Sequence, residues 1–169
     1  MIIMKQIFFL AVVLATAFTE CQSQPAKSPR LTAEGKDVKI SYGQPSKRDR
    51  VIFGELVPFG KVWRAGANEA TEITFAKDAS FGGKAVKAGT YSLFTIPTEK
   101  EWTFILNSEL KQWGAYGYDK VKDKDVLQVN VPSSKLTTSV EKLMLSFNSN
   151  NSLVLEWDNT HVEVPVTVK

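Results

Sequence analysis

The stretch FGELVPFGKVWRAGANEATEITF, residues 53–75, joins an irregular, glycine-punctuated segment to the start of a strand-like alternation. Gly54 and Pro58 oppose a long helix in its first half, because glycine costs conformational entropy and proline removes a backbone donor. In its second half, Ile73 and Phe75 alternate with polar residues, as they do in a half-buried strand. The stretch therefore predicts a loop that leads into a β-strand.

Alternating apolar and polar residues continue through most of the chain after this stretch. Residues 91–96 are apolar on both sides, which predicts a central strand covered on both faces. Residues 109–124 break the alternation and predict a large structured loop, whereas residues 82–83 and 158–159 predict turns. The pattern predicts an all-β fold with little or no helix, a single antiparallel β-sandwich of about eight or nine strands, with a barrel as the alternative. Predicted period-two strands include residues 38–42, 71–75, 102–107, 126–131, 140–147, 153–157 and 161–168.

The first twenty residues have the features of a secretion signal. Lys5 precedes an apolar run at residues 7–17, and residues 15–17 (Ala-Thr-Ala) match a small-x-small cleavage pattern. The run is too short to span a bilayer. We therefore predict a signal peptide, a flexible tether at 21–30 and one domain at 31–169, in a protein exported to the periplasm or cell envelope.

Cys21 is the single cysteine of the chain, so an intramolecular disulfide is excluded. Its position just after the apolar run makes it a candidate lipidation site, and a lipid would anchor the protein to a membrane without spanning it. The preceding residues 18–20 (Phe-Thr-Glu) depart from the small residues of a lipoprotein signal. Two interpretations of Cys21 therefore remain open. In one it is lipidated; in the other it is removed or has no role of its own.

Composition and motifs exclude several classes of function. A chain of 169 residues that is 43% hydrophobic and 23% charged supports a packed domain, and a net charge of +3 with interspersed signs predicts no nucleic-acid partner. The densest basic run, residues 47–50 (KRDR), is interpreted as a solvated loop. The only histidine, His161, lies on the polar side of a predicted strand, which argues against zinc ligation or a Ser–His nucleophile.

Acidic residues offer no clear metal site either. Asp119, Asp123 and Asp125 are close in sequence, but they lack the glycine and terminal glutamate of a calcium loop. No phosphate-binding loop and no dinucleotide-binding motif occurs in the chain. We predict no metal and no cofactor.

One candidate site lies within the opening stretch and comprises Lys61, Trp63, Arg64, Asn68 and Glu69. An arginine can hold a carboxylate or phosphate through two parallel hydrogen bonds. A neighbouring carboxylate can orient that arginine, or act as a general base if its pKa is raised. In the alternative interpretation, Arg64 and Glu69 form a buried ion pair that holds the loop on the β domain.

A second candidate site consists of Trp113, Tyr116 and Tyr118, which lie between glycines in the predicted loop. Exposed aromatic rings on a loop can form a stacking surface for sugars or apolar ligands. In the alternative interpretation, these rings cap an open end of the domain. Trp102 and Trp157 share strand faces with Leu and Phe, and we predict them as core residues.

Three functions are compatible with these features. The leading hypothesis is a non-enzymatic cell-envelope protein that binds a small ligand, such as a glycan or peptidoglycan fragment, with Arg64, Asn68 and Glu69 as polar contacts and Trp113 and Tyr116 as the stacking face. The first alternative is a hydrolase that uses Glu69 as a base and Arg64 to hold an anionic substrate. The second alternative is a structural or assembly partner of envelope proteins, with the aromatic residues as its contact patch.

Six strings of sequence carry a resemblance to a known family. They are SPR at Ser28, GELVPFGKVWRAGANEAT at Gly54, AGTYSLFTIP at Ala88, EWTFILN at Glu101, QWGAYGYD at Gln112 and LEWDNTHVEVPV at Leu155. In these strings the chain resembles the bacterial family known as domain of unknown function 2911, which is frequent among secreted proteins of Bacteroidota. The resemblance covers nearly all of residues 28–166. It implies an exported, mostly β domain without an established activity, and it supplies no catalytic residues.

Overall fold

The computed structural model describes residues 28–169. The predicted signal peptide, Cys21 and most of the predicted tether lie outside the described residues. No helix in the described part of the chain is long and apolar enough to cross a membrane. Two short 3₁₀ turns, Tyr118–Lys120 and Lys122–Lys124, interrupt a series of ten strands. The strands are β1 (Arg30–Gly35), β2 (Val38–Gly43), β3 (Thr71–Phe75), β4 (Ala79–Phe81), β5 (Lys84–Val86), β6 (Gly89–Pro97), β7 (Glu101–Asn107), β8 (Asp125–Phe147), β9 (Leu153–Val164) and β10 (Val166–Val168).

The strands form two antiparallel sheets around one core, which confirms the predicted all-β fold. The larger sheet has the order β1-β2-β3-β6-β7-β8-β9, and the smaller has the order β10-β4-β5. Apolar residues of both sheets belong to the same buried cluster, with Ile40 and Leu93 from the larger sheet and Phe81 and Val166 from the smaller. The burial of these residues follows from the period-two alternation, because alternate side chains of a strand point to opposite faces.

The central strand β6 is covered on both faces, as its sequence predicts. Leu93 belongs to the main core, whereas its neighbour Phe94 packs with Ile105 in a second, smaller cluster on the other face. The predicted core residues Trp102 and Trp157 are also confirmed, since each is 1% exposed.

The structure corrects two predicted boundaries near the C-terminus. Residues 126–131 and 140–147 belong to one continuous strand, β8, and the turn predicted at residues 158–159 lies inside β9. The pairs Lys135↔Thr160 and Val140↔Asp158 leave four residues of β8 opposite Asn159 alone. Residues 158–159 therefore continue β9 opposite a bulge of β8, although their composition is typical of a turn.

Two further backbone features complete the fold. The β4–β5 hairpin turns at Gly82 and Gly83, whose φ angles of 56° and 84° suit the predicted tight turn. In addition, the N–H of Leu143 donates to the carbonyl of Pro45 at 3.0 Å, and the N–H of Lys47 donates to the carbonyl of Glu141 at 2.7 Å. These bonds fix the segment after β2 against β8.

Candidate functional site

The loop at residues 52–64 contributes two rings, Phe53 and Trp63, to a cluster of four aromatic rings. The ring of Phe53 lies 5.0 Å from that of Trp102, 6.0 Å from that of Trp63 and 6.1 Å from that of Trp157, each in an edge-on arrangement. Trp63 stacks on Trp157 at 6.0 Å. Trp63 also exchanges two backbone hydrogen bonds with Thr95, at 2.7 and 2.8 Å. The loop is therefore a fixed part of the domain.

Short contacts to neighbouring strands determine the backbone path just after Trp63. The Thr71 hydroxyl donates to the carbonyl of Ala65 at 2.9 Å, and the N–H of Ala67 donates to the carbonyl of Gly43 at 3.1 Å. Ala65 and Asn68 have φ angles of 52° and 62°, a conformation that few residues with a side chain adopt. The surrounding strands hold the loop in this conformation.

Two adjoining depressions flank Arg64, and we call them together the basic hollow. They enclose about 300 Å³ and about 220 Å³, and Leu56, Val57, Trp63 and Arg64 line both. Their cationic lining residues are Arg48, Arg50, Lys61 and Arg64, and no carboxylate of residues 28–169 lines either depression. The basic hollow therefore offers an environment that favours an anion.

Arg64 has an unsatisfied polar atom. Its Nε is buried and has no hydrogen-bond partner within residues 28–169. Arg64 forms no ion pair with Glu69 among these residues, because the carboxylate of Glu69 lies 3.8 Å from Arg30 instead. Glu69 is largely exposed and does not line the basic hollow. Arg64 thus lines the hollow, and no carboxylate of the described residues pairs with its guanidinium.

Arg48 and Arg50 come from the basic run that the sequence suggested was only a solvated loop. Both side chains are exposed, yet both line the larger depression with Arg64. Arg50 donates from Nε to the carbonyl of Lys47 at 2.9 Å and from Nη2 to that of Ser46 at 2.6 Å. Sequence reasoning missed these two residues because their proximity to Arg64 depends on the pairing of residues 45–47 with β8. The basic run itself was the available signal.

The two segments singled out in the sequence meet in the structure. Glu69 and Trp113 pair as a backbone bridge, and Asn68 lines the larger depression, where its Nδ2 donates to the carbonyl of Ser28 at 3.3 Å. Tyr116 is 85% exposed and lines the smaller depression together with Arg64. Trp113 is 63% exposed and lines neither depression. The structure therefore brings Arg64, Asn68 and Tyr116 to the basic hollow, with Glu69 and Trp113 beside it.

Tyr118 has a different role from its two aromatic neighbours. Its ring packs edge-on against Phe94 at 5.2 Å, and its hydroxyl donates to Oδ2 of Asp125 at 2.6 Å. Burial and the hydrogen bond to the Asp125 carboxylate raise the pKa of Tyr118 above its ordinary value. Tyr118 thus caps the smaller apolar cluster, while Trp113 and Tyr116 remain exposed.

His161 and Asp125 have structural partners. Nδ1 of His161 lies 2.9 Å from Oε1 of Glu156. Asp125 accepts hydrogen bonds from Asn107, Tyr118 and Gln128. In the part of the chain that the structure describes, no three His, Cys, Asp or Glu side chains cluster closely enough to hold a metal ion.

Comparison with known proteins assigns the chain to a family. The family model described as a protein of unknown function (DUF2911) matches residues 24–166. The chain belongs to the DUF2911 family. Searches of curated proteins and of solved structures return no significant match. The region of this DUF2911 protein that the family model matches includes every residue of the basic hollow.

Proposed function

We propose that this protein is exported to the cell envelope, where it binds a small ligand through an anionic group of that ligand. The observation that carries the proposal is the buried Nε of Arg64, which has no partner within residues 28–169. Arg64 lines a hollow to which these same residues contribute four cations and no carboxylate. Leaving a buried donor unpaired costs about 1–3 kcal/mol, and more for a charged group. A carboxylate or phosphate in the hollow would accept charge-assisted hydrogen bonds from the Arg64 guanidinium, which would offset this cost.

Apolar groups beside the cations suit the remainder of such a ligand. Leu56, Val57 and Trp63 line both depressions, and Tyr116 adds an exposed ring to the smaller one. The larger depression reaches the lower end of the roughly 300–1,000 Å³ range of small-molecule sites. A peptidoglycan fragment combines carboxylates with a compact sugar and peptide body, so it is the ligand class that we propose.

Calorimetric titration with muramyl dipeptide, and with its fully amidated derivative, tests this proposal. We expect the carboxylate form to bind and the amidated form to bind at least about tenfold more weakly, because the cations lose their anionic partner. Arg64→Gln should weaken binding of the carboxylate form by a similar factor. Lys84→Gln, which removes an exposed cation of β5 outside the basic hollow, is the matched control.

Two results would contradict the proposal. One is equal affinity for the carboxylate and amidated forms. The other is an Arg64→Gln variant that binds normally, which would leave Arg64 with a structural role only. Thermal melting of both variants, measured beside the titrations, separates a loss of binding from a loss of folding.

Export is a separate part of the proposal and has its own test. Cell fractionation should recover the full-length protein from the envelope or periplasm. Labelling with a palmitate analogue should report lipidation, and Cys21→Ser should abolish any label. Recovery of the full-length chain only from the cytoplasm would overturn the export proposal without affecting the ligand proposal.

A second candidate function, assembly with another envelope protein, rests on the exposure of Trp113 and Tyr116, at 63% and 85%. Large exposed aromatic side chains are enriched at protein–protein contacts. Affinity purification from envelope extract should then recover one dominant partner, which Trp113→Ala releases. A similar set of proteins recovered with Trp113→Ala would argue against this function.

A further inference from the structure

A separate depression, which we call the Phe59 hollow, lies between three parts of the fold. Its boundaries are the loop that carries Phe53 and Phe59, the β6–β7 turn at residues 98–100, and the irregular pairing of residues 133–135 with 158–160. It encloses about 490 Å³, which is larger than either depression of the basic hollow. It shares no lining residue with the basic hollow.

Aromatic rings provide the apolar surface of the Phe59 hollow. Phe59 is 39% exposed, and its ring lies against Gly54, where an added Cβ would come within 3.1 Å of the ring. Phe53 is partly buried and is held edge-on to Trp102. These contacts present fixed rings, whose faces carry partial negative charge and attract polarised C–H groups.

The charges that line the Phe59 hollow are of both signs. Glu99 and Asp158 provide carboxylates, and Lys100 and Lys135 provide ammonium groups. Asp158 is already engaged, since its Oδ1 lies 2.7 Å from Nζ of Lys47. Charges of both signs on one lining give no field of a single sign, so an uncharged ligand is compatible with the hollow and its other groups decide what it binds.

Polar groups with spare hydrogen-bonding capacity lie on the same lining. Ser134 and Asn159 are exposed, and their side chains form no hydrogen bond with any residue of the described range 28–169. Asn159 alone lies opposite residues 136–139 of β8, at the bulge that changes the direction of this part of the strand. An amide both donates and accepts, as does a hydroxyl, so these groups match a ligand rich in hydroxyls.

We infer that the Phe59 hollow binds an uncharged oligosaccharide. A sugar ring combines an apolar C–H face, which stacks on an aromatic side chain, with hydroxyls that exchange hydrogen bonds in both directions. Phe59 supplies the stacking ring, and Asn159 and Ser134 supply polar contacts at the edge. This site is distinct from the proposed anion site, from which it differs in charge, lining and position.

The experiment is an array of uncharged oligosaccharides probed with the wild-type protein, followed by calorimetric titration of the best binder from the array. Phe59→Ala should weaken binding of that oligosaccharide at least about tenfold. The matched control is Leu56→Ala, because Leu56 belongs to the same loop and is 46% exposed but lines the basic hollow instead. Leu56→Ala and Arg64→Gln should bind within about twofold of the wild type.

Asn159→Ala keeps the test decisive if Phe59→Ala does not fold, since Asn159 is exposed and contributes no side-chain hydrogen bond within residues 28–169. It should weaken binding at least about threefold. The inference is overturned if no uncharged oligosaccharide binds, if folded Phe59→Ala and Asn159→Ala bind normally, or if Arg64→Gln alone abolishes binding. None of these results bears on whether an anionic ligand binds in the basic hollow.

Discussion

The backbone carbonyl of Asn68 accepts a hydrogen bond from the N–H of Gly114 at 3.0 Å. Two residues further on, the N–H of Ala70 donates to the carbonyl of Gln112 at 2.8 Å, so two segments far apart in sequence form one short antiparallel junction. This junction holds the exposed ring of Tyr116 beside the depression that Arg64 lines. The shape of the basic hollow therefore depends on the junction.

Gly114→Ala should disturb the junction. Gly114 has a φ of 70°, and an added Cβ would come within 2.8 Å of the Tyr116 ring. We expect a loss of about 1–2 kcal/mol in the free energy of unfolding, because a side chain is strained in this conformation and the ring must move. Urea denaturation measures the loss, with Gly117→Ala as the control, since an added Cβ there meets only Gln112 at 3.5 Å. Equal stability of the two variants would contradict the expected strain.

Gly43→Ala should be more damaging, because it affects the base of the basic hollow. An added Cβ would lie 2.1 Å from the carbonyl oxygen of Ala67, which is backbone and cannot rotate away. We expect a loss of about 2–3 kcal/mol in unfolding free energy, together with weaker ligand binding. Chemical denaturation and calorimetry measure the two effects. A variant with wild-type stability would show that the loop can shift without cost.

Double-mutant cycles can measure whether Glu69 is energetically coupled to Arg30 or to Arg64. The Arg30–Glu69 pair spans 3.8 Å at a partly exposed position, so we expect a coupling energy of at most about 0.5 kcal/mol. For Arg64 and Glu69 we expect a coupling near zero, because they form no ion pair within residues 28–169. Unfolding free energies of the single and double variants give both values. A coupling above about 1 kcal/mol between Arg64 and Glu69 would favour the structural ion pair over a ligand site.

Tyr118→Phe should change how stability depends on alkaline pH. The raised pKa of Tyr118, caused by burial and by Asp125, means that the folded protein holds the phenolic proton more tightly than the unfolded chain. The resulting stability is complete below the unfolded pKa of about 10 and declines as pH rises above it. We expect the wild type to exceed Tyr118→Phe by about 1 kcal/mol at neutral pH.

Urea denaturation of both proteins at about pH 8 and about pH 11 checks this prediction. The unfolding free energy at about pH 11 includes the ionisation of tyrosine, whereas the value at about pH 8 does not. The difference between the two proteins should narrow at the higher pH. A constant or widening difference would show that the Tyr118 hydroxyl is not preferentially protonated in the folded state.

Most of the strand framework could be predicted from sequence, because alternation is a local property of consecutive residues. Ile40, Leu93 and Trp157 are buried where period two places them. Prediction was wrong at residues 158–159, which have the composition of a turn but continue β9 opposite a bulge of β8. Local composition cannot distinguish the two, since the partner strand decides whether the chain reverses or continues.

The candidate sites were only partly predictable, for a related reason. Arg64 and Tyr116 stand out because their neighbours are irregular, and both contribute to the basic hollow. The contribution of Arg48 depends on backbone pairing between residues 45–47 and β8, about ninety-five positions away, which no local pattern encodes. Likewise, only the folded chain shows that Glu69 lies near Arg30 and that no carboxylate of residues 28–169 pairs with Arg64, because side-chain partners are determined by distance in space.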